Sequence, residues 1–169
     1  SLRMAGDQLD MDIVNYIKMR YGLLIGEKSA EDIKLEVGNA HPKWKGDDTP
    51  ILETVVRGRD LSTGLPKSIK ITSNEIREAM DPTINQIIAT IHVILEETPP
   101  ELLTDIVERG IVLAGGGGLI KGLDKRVAEE TKLPVWVVDD PLTAVVRGCG
   151  RLLDDLDLLS KVKVTGGLR

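Results

Sequence analysis

Apolar positions along this chain change period from segment to segment. Leu9, Ile13, Val14 and Ile17 share one helical face. Asp7 caps that helix, with Asp10 one turn in, and acidic charge there suits the positive dipole end. Gly22 ends the helix, and Leu23-Leu24-Ile25-Gly26 reads as a short apolar link. Ser29 caps a second helix over 30–37, with Asp32 in a capping-box position, Ile33 and Val37 inward and Gly38 as the stop. Residues 39–50 form a polar loop containing Pro42 and Pro50, expected to be mobile. Alternation over 52–57 and 67–72 predicts two strands, and Ser62-Thr63-Gly64-Leu65-Pro66 supplies the turn of a hairpin.

Thr72 and Glu75 then make a capping box for a long helix with Ile76, Met80, Ile84, Ile87, Ile88, Ile91 and Leu95 at helical spacing. Pro82 is expected to kink or split it. Thr98-Pro99-Pro100-Glu101 ends that helix and opens another, whose buried side is Leu102, Leu103, Ile106 and Val107, closed by Gly110. Ile111-Val112-Leu113-Ala114 has no alternation, which predicts a strand covered on both faces. Gly115, Gly116, Gly117 and Gly118 follow at once, then a helix over 119–131 with Leu123 and Val127 inward. Leu133-Pro134 breaks it, and Val135-Trp136-Val137-Val138 is a second buried strand. A strand–glycine loop–helix–strand unit predicts a parallel pair with a right-handed crossover. Asp139-Asp140-Pro141 opens a last helix through 158 that buries Leu142, Val145, Val146, Cys149, Leu152 and Leu156. The tail over 161–169 is expected to fray. Leu2-Arg3-Met4 reads as the end of a strand, and the chain is expected to be the C-terminal part of something longer.

Composition narrows the function classes. The 169 residues are about one domain, with 41% hydrophobic and 29% charged residues. Lys and Arg number 22 against 27 Asp and Glu, a net charge of −5 that argues against a phosphate-neutralising nucleic-acid binder. Aromatics at 2% leave few platforms for stacking bases. No apolar run reaches the length of a bilayer span. The single Cys149 excludes an internal disulfide and a Cys-cluster zinc site, and a reducing cytosol is the expected compartment.

The glycine run carries the candidate chemistry. Four glycines at the carboxyl end of a buried strand leave backbone N–H groups uncovered and let a ligand approach the main chain without meeting a Cβ. A helix start behind them would add positive potential for a phosphate. The run is neither G-x-G-x-x-G nor a Walker loop. From these residues alone it is either a tight strand-to-helix turn or a nucleotide contact.

Gly110-Ile111-Val112-Leu113-Ala114-Gly115-Gly116-Gly117-Gly118-Leu119-Ile120-Lys121-Gly122-Leu123 resembles the adenosine motif of the MreB family of bacterial actin-like cell-shape proteins. Ala5-Gly6-Asp7, Ile25-Gly26-Glu27, Asp32-Ile33-Lys34, Arg57-Gly58-Arg59-Asp60 and Thr63-Gly64-Leu65-Pro66 are similar to that family too. So are Thr98-Pro99-Pro100-Glu101-Leu102, Asp105-Ile106-Val107-Glu108-Arg109-Gly110 and Asp140-Pro141-Leu142-Thr143-Ala144-Val145. The likeness runs to about residue 161. Gly118 departs from it, standing where Ala or Ser is common, and the loop around Trp44 looks longer than in some relatives.

The resemblance implies an α/β, actin-like (ribonuclease H-like) second lobe, a partial parallel or mixed sheet with helices, plus a small α+β subdomain. Residues 1–11 and 73–160 would form the larger part and 12–72 the smaller. It implies a cytoplasmic, filament-forming protein that binds ATP or ADP, with Mg²⁺ in the full-length protein. This chain would supply the adenosine side of the cleft, through Glu31, Asp32, Ile33, Lys34, Gly115, Gly116, Gly117 and Gly118. Glu31 would accept from a ribose hydroxyl or exocyclic amine, and the Lys34 ammonium would lie over or beside the base. Without the resemblance, Glu31 and Lys34 read as a solvated helix face.

No Asp-Gly-Gly-Gly-Thr phosphate loop occurs in these residues, so turnover is not expected of this chain. Partners would be further copies, head to tail through the small subdomain, and other morphogenetic proteins, with no nucleic acid and no direct membrane contact. Rival readings are a sugar kinase or Hsp70-type chaperone, and a Rossmann-type oxidoreductase with Asp139 as its acidic residue.

The remaining polar residues have plainer roles. Asp7, Asp10 and Asp12 read as dipole-complementing residues, Asp139 and Asp140 as a cap, and Asp154, Asp155 and Asp157 as a solvated face. His92 reads as a partly exposed helix residue, and neither it nor His41 has a partner at metal spacing. Cys149 reads as a small core residue. Trp44 is either variable surface or a contact at a subunit interface.

Overall fold

The computed structural model describes residues 6–155, 157, 159 and 160. Expectations for Leu2-Arg3-Met4, Leu156 and the tail over 161–169 lie outside the described residues. Helix α1 (Gly6–Tyr21) buries Leu9, Ile13 and Ile17 as the period requires. Asp7 sits inside its first turn and not ahead of it. Gly22, at φ +61, donates back to Lys18 and turns the chain. Leu23-Leu24 is more than a link. It forms strand β1 (Leu23–Leu24), because pairing with Asp60 and Arg59 satisfies its backbone while Leu23 is fully buried.

Helix α2 (Glu27–Val37) starts earlier than expected. Ala30 donates to the Gly26 oxygen, so Ser29 is a first-turn residue and Gly26 takes the cap position. Strands β2 (Glu53–Asp60) and β3 (Pro66–Thr72) form the expected antiparallel hairpin, Val56 opposite Ile69 and Thr54 opposite Ile71. With β1 they make a three-stranded sheet in the order β1-β2-β3.

Helix α3 (Ser73–Glu97) opens on the full capping box, Thr72 accepting from the Glu75 N–H and Glu75 accepting from the Thr72 N–H. It runs unsplit through Pro82, burying Ile76, Met80, Ile84 and Ile88 one turn apart. Helix α4 (Pro100–Arg109) buries none of its residues, and Leu102 and Val107 are exposed. Strand β4 (Ile111–Leu113) pairs in parallel with β5 (Val135–Val137), Val112 opposite Trp136. The pair is not covered on both faces. Ile111, Leu113 and Val135 lean on the core, whereas Val112 is 50% and Trp136 44% exposed.

Between the strands, a one-turn 3-10 segment (Gly116–Leu119) and helix α5 (Leu123–Thr131) replace the single helix expected over 119–131. Gly122 in the left-handed region separates them. Leu123 and Val127 face inward as expected. Helix α6 (Ala144–Asp154) is amphipathic in sequence, but Val145, Val146 and Cys149 are exposed, so the cysteine is not a core residue. Among the described residues nothing packs over that side. Thr143 caps α6 without a side-chain bond, and Asp140, at φ +50, turns the chain before it.

One core joins α1, α2, β1 to β3, α3 and α5, and it is aliphatic, built on Leu9, Ile13, Ile17, Ile71, Ile76, Met80 and Ile84. Loop 39–49 packs against α5 and the residues just before it. Ala40 donates to the Lys121 oxygen at 2.8 Å, Lys125 reaches the Lys43 oxygen at 3.0 Å, and buried His41 places Nε2 3.1 Å from Glu129. Trp44 is half-buried against Gly122, which is a contact within this chain.

Candidate functional site

A cavity of about 530 Å³ opens between the α1 start, α2 and the glycine segment. Its walls include Gly6, Asp7, Asp10, Glu31, Lys34, Gly116, Gly117, Leu119, Lys121 and Leu142. Residues distant in sequence meet there because α2 packs on α1 while the segment after β4 brings the glycines to the same cavity. The volume is within the range of small-ligand sites.

Two of the four glycines, Gly116 and Gly117, line the cavity as a ledge of bare main chain. A Cβ on Gly117 would meet nothing within 4 Å, and one on Gly116 only a Leu142 methyl at 3.7 Å. Neither has a positive φ. Neither packing within the chain nor backbone strain therefore requires glycine at these positions, and the space above them is the cavity. Gly115 and Gly118 do different work. Gly115, at φ +80, makes the turn and donates to the Pro141 oxygen at 2.8 Å. Gly118 is buried on Leu113 and donates to the Gly115 oxygen at 3.1 Å. Not all four N–H groups are uncovered, as the run of glycines implied. Nor does an α-helix start behind them, since α5 begins only at Leu123.

The α2 residues also divide. Glu31 and Lys34 line the cavity. Ile33 lies in the core at 6% exposure, and Asp32 is exposed with its carboxylate 3.1 Å from Lys28, so neither is a wall. Helical geometry makes this unavoidable, because neighbours in sequence point about 100° apart. Glu31 accepts from Lys28 at 2.9 Å. Lys34 does not hang over open space. Its ammonium is 2.8 Å from Asp10 Oδ1 and donates to Asp10 Oδ2 at 2.9 Å and to the Gly6 oxygen at 3.2 Å.

Sequence reasoning missed Gly6, Asp7, Asp10, Leu119, Lys121 and Leu142 as walls. Asp10 in the first turns of a helix reads as a dipole-complementing residue, and no local pattern marks a partner 24 residues away. Lys121 turns from the cavity to donate to the Glu36 oxygen at 2.6 Å, beside the Trp44 ring. Among the described residues no group of three or more His, Cys, Asp or Glu is placed to hold a metal ion. No helix among them is long and apolar enough to cross a membrane.

A family profile described as MreB/Mbl protein matches residues 1–161. The chain belongs to the MreB/Mbl family. It is 45% identical over 165 residues to the cell shape-determining protein Mbl of Bacillus subtilis, covering 98% of this chain and 48% of that protein. It is 48% identical over 158 residues to the cell shape-determining protein MreB of Escherichia coli, covering 94% and 44%. The chain thus spans about half the length of the curated relatives it matches.

Among solved structures, MreB5 of Spiroplasma citri bound to ADP superposes with a TM-score of 0.87 at 33% identity, covering 96% of this chain and 48% of that one. A MamK double helical filament superposes at 0.74 and 26% identity, covering 91% and 46%. As a member of this family the chain has the actin-like fold class expected from its motifs, with mixed α/β elements and small sheets.

Proposed function

We propose that this MreB/Mbl family chain supplies the adenosine side of an ATP- or ADP-binding cleft in a filament-forming protein that sets bacterial cell shape. The observation that carries the reading is the bare main chain at Gly116 and Gly117 lining the same cavity as Glu31. Glycines that packing does not need, sharing a cavity with a carboxylate, suit a flat heterocycle and its ribose, with bare main chain for the ring and an acceptor for a hydroxyl. Carboxylates at Asp7 and Glu31 disfavour phosphates at this end, so the nucleoside and not the phosphate chain lies here. Mg²⁺ would be held with the phosphates in the whole protein. Relatives are named for determining cell shape, one solved relative is bound to ADP, and another forms a double helical filament. Self-association is head to tail, on the side of the hairpin tip that exposes Leu61 and Leu65.

The test is an amide-shift titration of this 169-residue chain with adenosine, ADP and NADH. Adenosine and ADP should shift Glu31, Gly116 and Gly117 with similar midpoints. Millimolar nucleotide that moves none of these amides, or a clear preference for NADH, rejects the reading.

A further inference from the structure

Loop 39–49 closes on α5 around a histidine whose two ring nitrogens are both committed. The His41 side chain is 10% exposed. Its Nδ1 accepts from the Lys43 N–H at 3.1 Å, and its Nε2 stands 3.1 Å from Glu129 Oε1. An accepting Nδ1 carries no proton, so the ring in the closed loop is neutral, with its proton on Nε2 toward the carboxylate. The same turn carries the rest of the closure. The His41 oxygen accepts from the Trp44 N–H at 3.2 Å, the Lys43 oxygen accepts from Gly46 and Lys125, and Trp44 lies on Gly122. Lys121, beside the Trp44 ring, donates to the Glu36 oxygen near the end of α2, and its own oxygen accepts from Ala40. The loop therefore joins the C-terminal end of α2 to the start of α5. A second ring proton would go to Nδ1 and set one N–H against another, so the bond from Lys43 is lost and the turn over 41–44 must open.

The charges around the loop favour that outcome. From α5 come Glu129 and Lys125, from the segment before it Lys121, from the loop Lys43 with its partner Asp47 at 2.7 Å, and from α3 Arg77, which reaches Asn39. Lys121, Lys125 and Arg77 bond to uncharged oxygens, and among the described residues none of the three has a carboxylate partner. An imidazolium would add to this positive charge. Glu129 opposes the effect, but it is 63% exposed and its attraction is screened by water.

We propose that His41 makes loop 39–49 a pH-sensitive clasp between α2 and α5, closed on the neutral imidazole and opened by a second ring proton. The closed form is complete where the ring is neutral and is lost as pH falls and the ring charges. Lys121 and α2 are both walls of the cavity, so the clasp fixes one wall against the other. This holds whatever the cavity binds.

The experiment follows amide hydrogen exchange of the whole chain between about pH 8 and pH 5, expressed as protection factors, for wild type, H41N and E129Q. The window lies above the ordinary carboxylate value of about 4, where carboxylates stay ionised. In the wild type, protection of the Lys43 amide should fall at least about tenfold toward the acid end while that of Val56 in β2 stays constant, and the proton contact between Trp44 and Gly122 should fade with it. Protection that is constant, or that rises as the ring charges against Glu129, overturns the inference. H41N places an amide oxygen where Nδ1 stands and cannot titrate, so Lys43 protection should vary less than about threefold. A fall like that of wild type overturns the proposal. In E129Q the charged ring loses its counter-ion, so the fall should be at least as deep as in wild type, and a shallower one would mean that the carboxylate drives the opening and not Nδ1. The imidazole nitrogen shifts of the wild type near the alkaline end need no variant. They should place the proton on Nε2, and a ring protonated on Nδ1 also overturns the clasp.

Discussion

Trp44 lies against Gly122 so closely that a Cβ on the glycine would come within 2.7 Å of the Trp44 Cβ. The His41 Cβ would be 2.9 Å away, and φ at Gly122 is +76°. Glycine here joins the 3-10 segment to α5 and lets loop 39–49 close on it. Gly122→Ala meets both a steric and a backbone penalty, and should destabilise the chain by about 1–3 kcal/mol. Chemical denaturation followed by Trp fluorescence measures it. An unchanged midpoint would show that the loop does not close on α5 in solution.

Asp60 gives the hairpin an acid-sensitive turn. Its carboxylate accepts from Lys67 at 2.8 Å, from the Ser62 hydroxyl, and from the N–H groups of Thr63 and Ser62 at 3.0 and 2.8 Å. These donors, Lys67 foremost, hold the carboxyl well below the usual range. Glu75 is also lowered. Burial acts to raise it, and hydrogen bonds from Tyr21 and Thr72 outweigh that. A depressed folded-state value means the contribution is complete above the ordinary carboxylate value of about 4 and is lost as pH falls below it. Stability should therefore decline on acidification from about pH 4, and Asp60→Asn should flatten that decline. Melting temperatures across an acid series test this, and parallel curves for the two proteins would refute it.

The alkaline side depends on the two tyrosines. Burial, with the 2.9 Å bond to Glu78, pushes Tyr16 up to about 12, and the bond to Glu75, with burial, raises Tyr21. A raised value means their contribution is intact below the ordinary phenol value of about 10 and is lost as pH rises through the folded one. Phenolate absorbance of the folded chain should lag behind that of the urea-unfolded chain during alkaline titration. Coincident curves would mean that the carboxylates of α3 do not hold the α1 phenols.

Cys149 is exposed on α6. A thiol reagent should label the folded chain at nearly the rate seen in urea, with one equivalent consumed. Strong protection in the monomer would mean that another surface covers α6.

Several local signals match the structure, although the caps expected at Asp7 and Ser29 lie inside first turns. The Thr72–Glu75 capping box spans three positions and closes as read, and so does the hairpin turn that Asp60 and Gly64 organise. The period of Leu9, Ile13 and Ile17 placed one face of α1 in the core. Apolar spacing on α4 and α6, and the unbroken apolar run of β4, were read as burial and are partly open in this chain. Periodicity records that a face is built to be covered and says nothing of whether the cover is in the same chain. The chain spans about half of its relatives.

The site divides in the same way. Motif order along the chain was enough to place it in a family, and helical spacing was enough to set Glu31 and Lys34 on one face, because both are properties of neighbours. Which glycines form a ledge was not readable. Four identical residues differ only in φ and in what stands over them, and both follow from where β5 and Pro141 return the chain. Lys34 and Asp10 are two ordinary surface-type residues until α1 packs on α2 and removes the water between them. Desolvation is a property of the assembled neighbourhood, so no inspection of either segment alone reveals the pair.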